Sequence, residues 1–226
     1  MHKTTSLFAG CLFCAGVLAA ANSWADGDMI TYKITVTNLT PGQTIAPVMA
    51  ATHRPGISFF TPGEAPAPEL ANLAEAGDGH PMAAKLNTLP GYSDAEVGAA
   101  GADPGQTTTV TVKAHDARDH LSLGAMLGNT NDAFIGLRDV ELPKGNQVVT
   151  YMADGYDAGT ETNDESCGTV PGPACGGVAL SPGDSGEGFV YIHNGIHGIG
   201  GLNPALYDWR NPAARVEITR LHHVHF

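Results

Sequence analysis

The sequence predicts an all-β fold, in which two antiparallel sheets pack face to face as a β-sandwich. Residues 29–39 alternate strictly between apolar side chains, from Ile30 to Val36, and threonine or lysine, which is the pattern of a half-buried strand. Seven further short segments have a similar composition and are bounded by Gly, Pro, Asn or Asp. Many short strands in a chain of this length are typical of a sandwich.

The other elements follow from local composition and from the residues that interrupt it. The further strands are predicted at residues 44–51, 107–114, 119–127, 133–138, 146–153, 188–193 and 213–224. Two short helices are predicted at residues 68–76 and 81–89, because each segment begins with proline and places leucine on one face. Residues 90–106 are interpreted as a Gly/Ala-rich connector, and residues 154–187 as a long ordered loop.

The first 25 residues have the pattern of an export signal. His2 and Lys3 precede an apolar run over residues 7–21, and small residues follow at Ser23 and Ala25. The run is about 15 residues long, which is shorter than the roughly 20 needed to cross a bilayer. We therefore expect a signal peptide at residues 1–25, a single domain at residues 26–226, a periplasmic or extracellular location, and no integral membrane span after cleavage.

The charge of the chain narrows the classes of partner. Lysine and arginine number 11 against 23 acidic residues, a formal net charge of −12 with histidine neutral. Such a chain repels phosphate backbones, and no basic stripe stands out in it, so we expect no nucleic-acid binding. Cation binding fits this charge better.

Two cysteines remain once a signal peptide is removed. Cys167 and Cys175 lie in one Gly/Pro-rich loop. In an exported protein an even pair is most simply a disulfide. A metal site is the alternative, but it needs more ligands close by.

Two acidic loops offer oxygen ligands. Residues 129–137 contain Asp132, and residues 156–165 contain Asp157, Glu161 and Asp164. Carboxylate, amide and carbonyl oxygens are the ligands that calcium prefers, and glycine lets such loops turn tightly. The spacing differs from that of an EF-hand loop, so a calcium site must be assembled from both loops. The alternative is that these acids are solvated loop residues and turn caps.

Two motifs in this order resemble the spondin N-terminal domain family. One is the small-residue strand SLGAML at residues 122–127, followed by NDAFIGL at residues 131–137. The other is YDAGTE at residues 156–161, similar to the family's Asp-Ala-Gly-Thr-Asp motif, with Glu161 at the position of the second aspartate. The resemblance extends over roughly residues 29–220. The chain looks like a free-standing, bacterial-type member of that family.

This resemblance carries expectations about fold, ligand and role. It implies a C2-like antiparallel β-sandwich that binds calcium through Asp132, Asp157 and Glu161. Animal members lie in secreted matrix proteins that mediate adhesion. We therefore expect an exported recognition or adhesion module for an unidentified extracellular or periplasmic ligand, and no enzyme.

Histidines offer a second metal chemistry. His53 follows the predicted strand at residues 44–51, and His193 and His197 lie in a glycine-rich segment. Histidine is a common ligand for copper and zinc. The alternative function is therefore a periplasmic copper- or zinc-binding protein that uses His53, His193 and His197. Buried hydrogen-bonding histidines would give the same pattern.

A short match to serine proteases carries little weight. Residues 183–186 read GDSG, and His53 and Asp103 precede Ser185 in the chain order of a catalytic triad. Glu187 replaces the glycine expected next, and Asp103 lies in the connector. We therefore interpret this segment as a turn before a strand.

Overall fold

The structure is a computed structural model that describes residues 29–184 and 186–221. This part of the chain contains nine antiparallel strands and three short helices, joined by loops. The prediction of an all-β fold with short helices is confirmed. The predicted signal peptide at residues 1–25 and Ser185 lie outside the described residues. None of the helices in the described part has the length and apolar character needed to span a membrane.

Loops of different length join the elements along the chain, and the longest of them, residues 158–190, follows β7. The strands are β1 (Ile30–Asn38), β2 (Met49–His53), β3 (Tyr92–Val97), β4 (Thr107–Ala114), β5 (His120–Met126), β6 (Ala133–Glu141), β7 (Val149–Asp157), β8 (Tyr191–Ile192) and β9 (Ala214–Leu221). The helices are α1 (Pro68–Ala76), α2 (His80–Leu86) and α3 (Pro204–Tyr207).

Strand β7 belongs to both layers of the sandwich. Its first half pairs with β9, from Val149 to Ala153, and its second half pairs with β6, from Asp154 to Asp157. One layer therefore has the order β4-β1-β9-β7 and the other the order β3-β2-β5-β6-β7. At the opposite edge the backbone amide of Lys113 in β4 donates to Asp94 of β3 at 2.7 Å, so the sandwich is nearly closed.

The core divides into two parts because the β2-β5-β6 layer is covered on both faces. Between the layers, alternate side chains from all the main strands pack together, as in β4, where every second residue is buried. On the outer face, Leu70 and Leu73 of α1 and Met82 of α2 pack with Phe134 of β6. This second cluster explains why β5 and the first half of β6 are buried at nearly every residue rather than at alternate residues.

Glycine at position 136 is required by the aromatic packing of the outer cluster. A Cβ atom there would lie 2.7 Å from a ring carbon of Tyr156 and 2.8 Å from one of Phe60. Both rings pack on Phe134, whose centroid is 5.1 Å from that of Phe60. The Phe-Ile-Gly order in β6 therefore lets two aromatic rings lie against the strand that begins beside Asp132.

The structure differs from the sequence prediction in several elements. Residues 90–106, predicted as a connector, contain edge strand β3, and one-turn helix α3 was not predicted. Strand β2 begins at Met49 rather than at residue 44, and β7 continues to Asp157. Helix α1 covers the predicted residues 68–76. The predicted disulfide between Cys167 and Cys175 is present.

Candidate metal centre

The two acidic loops lie side by side because the strands that carry them are neighbours. Asp132 immediately precedes β6, and Asp157 is the last residue of β7. The register pairs Ala133 with Asp157, and the amide of Ala158 donates to the carbonyl of Asp132 at 3.2 Å. Both carboxylate residues are fully buried. Sheet pairing alone therefore brings these two carboxylate-bearing residues together.

The carboxylate of Asp132 is bonded on one oxygen only. Its Oδ2 accepts the backbone amides of Thr160 and Glu161, at 2.7 and 3.1 Å, and the hydroxyl of Thr160. Within the described residues its Oδ1 is buried and has no hydrogen-bond partner. A buried carboxylate oxygen without a partner is costly, and it marks a place where a cation would be favoured.

Asp157 is held by polar groups of the loop that follows it. Its Oδ1 accepts the backbone amide of Gly159 at 2.8 Å, and its Oδ2 accepts the side-chain amide of Asn163 at 2.5 Å. Tyr191 adds a further side-chain hydrogen bond. Its bonding partners are thus amides and a hydroxyl, with no lysine or arginine among those observed.

Glu161 has the same one-sided bonding as Asp132. Its Oε1 accepts the side-chain amide of Asn131 at 3.1 Å and the hydroxyl of Ser181 at 2.9 Å. Its Oε2 is buried, again with no partner in the part of the chain that is described. Asn131 itself is a structural link, because its Oδ1 accepts the amide of Glu165 at 3.1 Å.

Gly159 makes the tight turn between Asp157 and Glu161 possible. Its φ is +68°, in the region that favours glycine. A Cβ atom there would lie 2.3 Å from the carbonyl oxygen of Phe189. Both the backbone conformation and the close packing at position 159 therefore require glycine, in agreement with the prediction that glycine shapes this loop.

The site disfavours negative charge when no cation is bound. Burial, together with the nearby charge of Asp157, raises the pKa of Asp132 to about 8. Burial raises the pKa of Asp157 to about 6, although the hydrogen bonds from Asn163 and Gly159 act to lower it. Burial also raises the pKa of Glu161. A bound cation would reverse this preference by stabilising the ionised forms.

A hydrogen-bonded relay connects Asp157 to a buried histidine. The amide of Gly195 donates to Nδ1 of His193 at 2.9 Å, so in the neutral ring Nε2 carries the proton and donates to Oδ1 of Asn163 at 3.2 Å. The side-chain amide of Asn163 then donates to Asp157. Burial lowers the pKa of His193 to about 4, and the ring stacks on Trp209 at a centroid distance of 5.0 Å. His193 is therefore neutral.

Glu165 joins the acidic loop to the histidine segment. Its carboxylate accepts three successive backbone amides, those of His197, Gly198 and Ile199, at 2.6 to 3.0 Å. A polar cavity of about 60 Å³ lies between the two segments, and Asp157, Glu165, His193 and His197 are among its lining residues. Of the three proposed ligands Asp132, Asp157 and Glu161, only Asp157 lines this cavity.

Comparison with known proteins adds no assignment. No model of a known protein family matches the chain. No curated protein sequence matches it either. The geometry of the site and the motif resemblance are the grounds for any function assigned to it.

The three histidines of the alternative site are not brought together. His53 is fully buried in β2, where Nδ1 lies 2.9 Å from the carbonyl of Arg54 and Nε2 lies 2.7 Å from the hydroxyl of Ser122. His193 and His197 line the same cavity, but both ring nitrogens of His193 are engaged in the relay. His53 thus matches the structural alternative, a buried hydrogen-bonding histidine.

Calcium fits the chemistry of the acidic site. All the groups at Asp132, Asp157 and Glu161 that could contact a cation are oxygens, and two of these oxygens are buried without a partner in the described residues. Over residues 29–184 and 186–221, the side chains as placed form no group of three or more His, Cys, Asp or Glu that could hold a metal ion. Calcium takes six to eight oxygens, so backbone carbonyls or water would have to supply the others.

Asn163 and Glu165 were not singled out from the sequence, and His193 was predicted only as a copper or zinc ligand. All three act through hydrogen bonds that span about 30 positions of the chain. The Asn-Asp-Glu run at residues 163–165 was visible as part of the acidic loop, but nothing in it separates an exposed Asp164 from a buried Glu165. Only the fold distinguishes these neighbours.

Proposed function

We propose that this protein is an exported calcium-binding β-sandwich that serves as a recognition or adhesion module rather than an enzyme. The observation that carries the proposal is the pair of fully buried carboxylates, Asp132 and Asp157, of which Asp132 leaves Oδ1 without a hydrogen bond among the described residues. The resemblance of both loops to the spondin N-terminal motifs supports the same ligand. Glu161 is the third proposed ligand, because its Oε2 is also buried and has no hydrogen-bond partner among the described residues.

The arrangement of loops on a rigid scaffold supports a recognition role. The site lies where β6 begins and β7 ends, and the long loop after β7 is tied to residues 197–199 through Glu165. Residues that bind partners are often carried by loops that a stable scaffold positions. A cation between the loops would fix the shape of the surface that they present, and the predicted export would place that surface outside the cytoplasm.

Calorimetric titration of the purified protein with calcium tests the proposed site. We expect Asp132→Asn and Asp157→Asn to weaken calcium binding by more than roughly a hundredfold, since each removes a proposed ligand charge. Asp103→Asn is the matched control, because it removes one exposed carboxylate outside the site. Unchanged affinity in both site variants, or no calcium binding by the wild-type protein, would contradict the proposal.

The shared cavity of His193 and His197 keeps a copper or zinc protein as the second candidate. Elemental analysis of protein purified without an affinity tag separates the two. Calcium without copper or zinc supports the acidic site. Copper or zinc near one per chain, lost in His197→Ala, supports the histidines.

A further inference from the structure

One serine connects helix α1 to the proposed calcium ligand Glu161. The backbone amide of Ser181 donates to Oε2 of Glu75 at 3.0 Å. The hydroxyl of the same serine donates to Oε1 of Glu161 at 2.9 Å. Glu75 and Glu161 are 86 positions apart in the chain, yet they share this residue.

Both carboxylates in this contact are buried. Glu75 is 4% exposed and Glu161 is 2% exposed. Two buried carboxylates that share one hydrogen-bonding residue repel each other when both are ionised, and a cation would offset this repulsion.

The contact with Ser181 also determines which carboxylate oxygen of Glu161 lacks a hydrogen bond in the described residues. Ser181 and Asn131 both donate to Oε1, so neither donor is directed at Oε2. Oε2 is the atom that stays buried and without a partner in the described chain. If Ser181 moved, the carboxylate could rotate and satisfy Oε2 elsewhere.

We propose that Glu75 and Ser181 are positioning residues for the cation site: they fix the Glu161 carboxylate so that Oε2 is presented to the ion, and Glu75 adds its negative charge. This inference rests on the proposed calcium site and adds helix α1 to it. Outer partners that orient a ligating carboxylate commonly change metal affinity when they are removed.

The same contact links the site to an open groove. Glu75, Ser181 and Thr160 are among the residues that line a groove of about 430 Å³ beside α1. Thr160 is also the residue whose amide and hydroxyl bond Asp132. Calcium binding should therefore slow amide hydrogen exchange in α1 as well as in the acidic loop.

Calcium titration of four variants tests the inference on the whole protein. Ser181→Ala removes the hydroxyl and should weaken calcium binding roughly tenfold to a hundredfold. Ser181→Thr keeps a hydroxyl and should restore most of the affinity. Glu75→Gln keeps an oxygen that can accept the amide but loses the charge, and should weaken binding roughly tenfold. Glu64→Gln, which neutralises an exposed glutamate, is the matched control and should bind as the wild type does.

Unfolding by urea, with calcium and with a chelator, separates positioning from a structural role. A positioning role reduces the stabilisation that calcium adds, since that increment depends on affinity. Equal losses of stability in both conditions, with calcium affinity unchanged in Ser181→Ala and Glu75→Gln, would overturn the inference while leaving the proposed site intact. A wild-type protein that binds no calcium would instead overturn both.

Discussion

The backbone amide of Glu161 donates to Oδ2 of Asp132 at 3.1 Å, across 29 positions of the chain. The amide and hydroxyl of Thr160 donate to the same oxygen, so all the observed bonds to this carboxylate are on one side. The loop after β7 thereby holds Asp132 in one orientation and leaves Oδ1 directed away from those donors. The site is oriented before a cation binds, at the cost of burying a carboxyl group that has one oxygen without a partner in the described residues.

The burial of Asp132 predicts a pH dependence for the calcium-free protein. Burial, together with the charge of Asp157, raises the pKa of Asp132 in the folded protein to about 8, well above the ordinary value for aspartate. A raised folded pKa contributes stability that is complete below the unfolded pKa and is lost as the pH rises through the folded one. Between pH 7 and 8.5, where His193 is largely neutral in both the folded and the unfolded state, the free energy of unfolding should fall by roughly 1 kcal/mol.

Urea unfolding at a series of pH values, with a calcium chelator present, measures this fall. Saturating calcium should remove the fall or reverse its sign, because the cation stabilises the ionised form. A free energy of unfolding that does not change with pH in chelator would contradict the raised pKa of Asp132.

Asp132→Asn should separate stability from calcium binding. The asparagine oxygen can still accept from Thr160 and Glu161, and its amide would replace Oδ1, which has no partner in the described residues. We expect the calcium-free variant to be more stable than wild type by about 1 kcal/mol at pH 8 and to lose the pH dependence. Thermal unfolding with and without calcium measures both effects, and a variant that still gains stability from calcium would count against Asp132 as a ligand.

Asn163→Ala should break the relay between Asp157 and His193. It removes one donor to Asp157 and the acceptor for Nε2 of His193. Because both partners are buried, we expect a loss of about 1–3 kcal/mol in the free energy of unfolding. Asn194→Ala, at an exposed neighbour of His193, is the control and should change stability little. Equal losses in the two variants would argue against the relay.

Glu165 should control the order of the histidine segment. Glu165→Ala removes the acceptor for the amides of His197, Gly198 and Ile199. Hydrogen bonds to a charged group contribute about 1.5–3 kcal/mol each, so the loss should be large and local. Hydrogen exchange followed by mass spectrometry should show faster exchange at residues 197–199. Glu165→Gln retains one acceptor oxygen and should show an intermediate rate.

Local sequence patterns predicted a strand well where buried and exposed residues alternate clearly, and missed a strand where they do not. β4 alternates perfectly between exposed and buried residues, and its bounds agree with the prediction. β3 was missed because its six residues include only Ala95 as a fully buried side chain, so it has no clear alternation. It forms a strand because β2 pairs with it, which is a tertiary cause.

The candidate ligands could be predicted from motif order, but their surroundings could not. Asp132 and Asp157 become neighbours through the β6–β7 register, which the sequence of strands already favours. Glu75 and Ser181 contact Glu161's environment only after α1 has packed on the outer face of β5 and β6. No periodicity or spacing records such a contact.

The shared strand β7 has a mechanical consequence. Its first half pairs with β9 and its second half with β6. Separating the two layers along this edge must therefore break the backbone hydrogen bonds of β7. Asp157 terminates that strand. An ion bound there would link the end of β7 to the start of β6. A single molecule pulled from its two ends should therefore resist extension more strongly in calcium than in chelator.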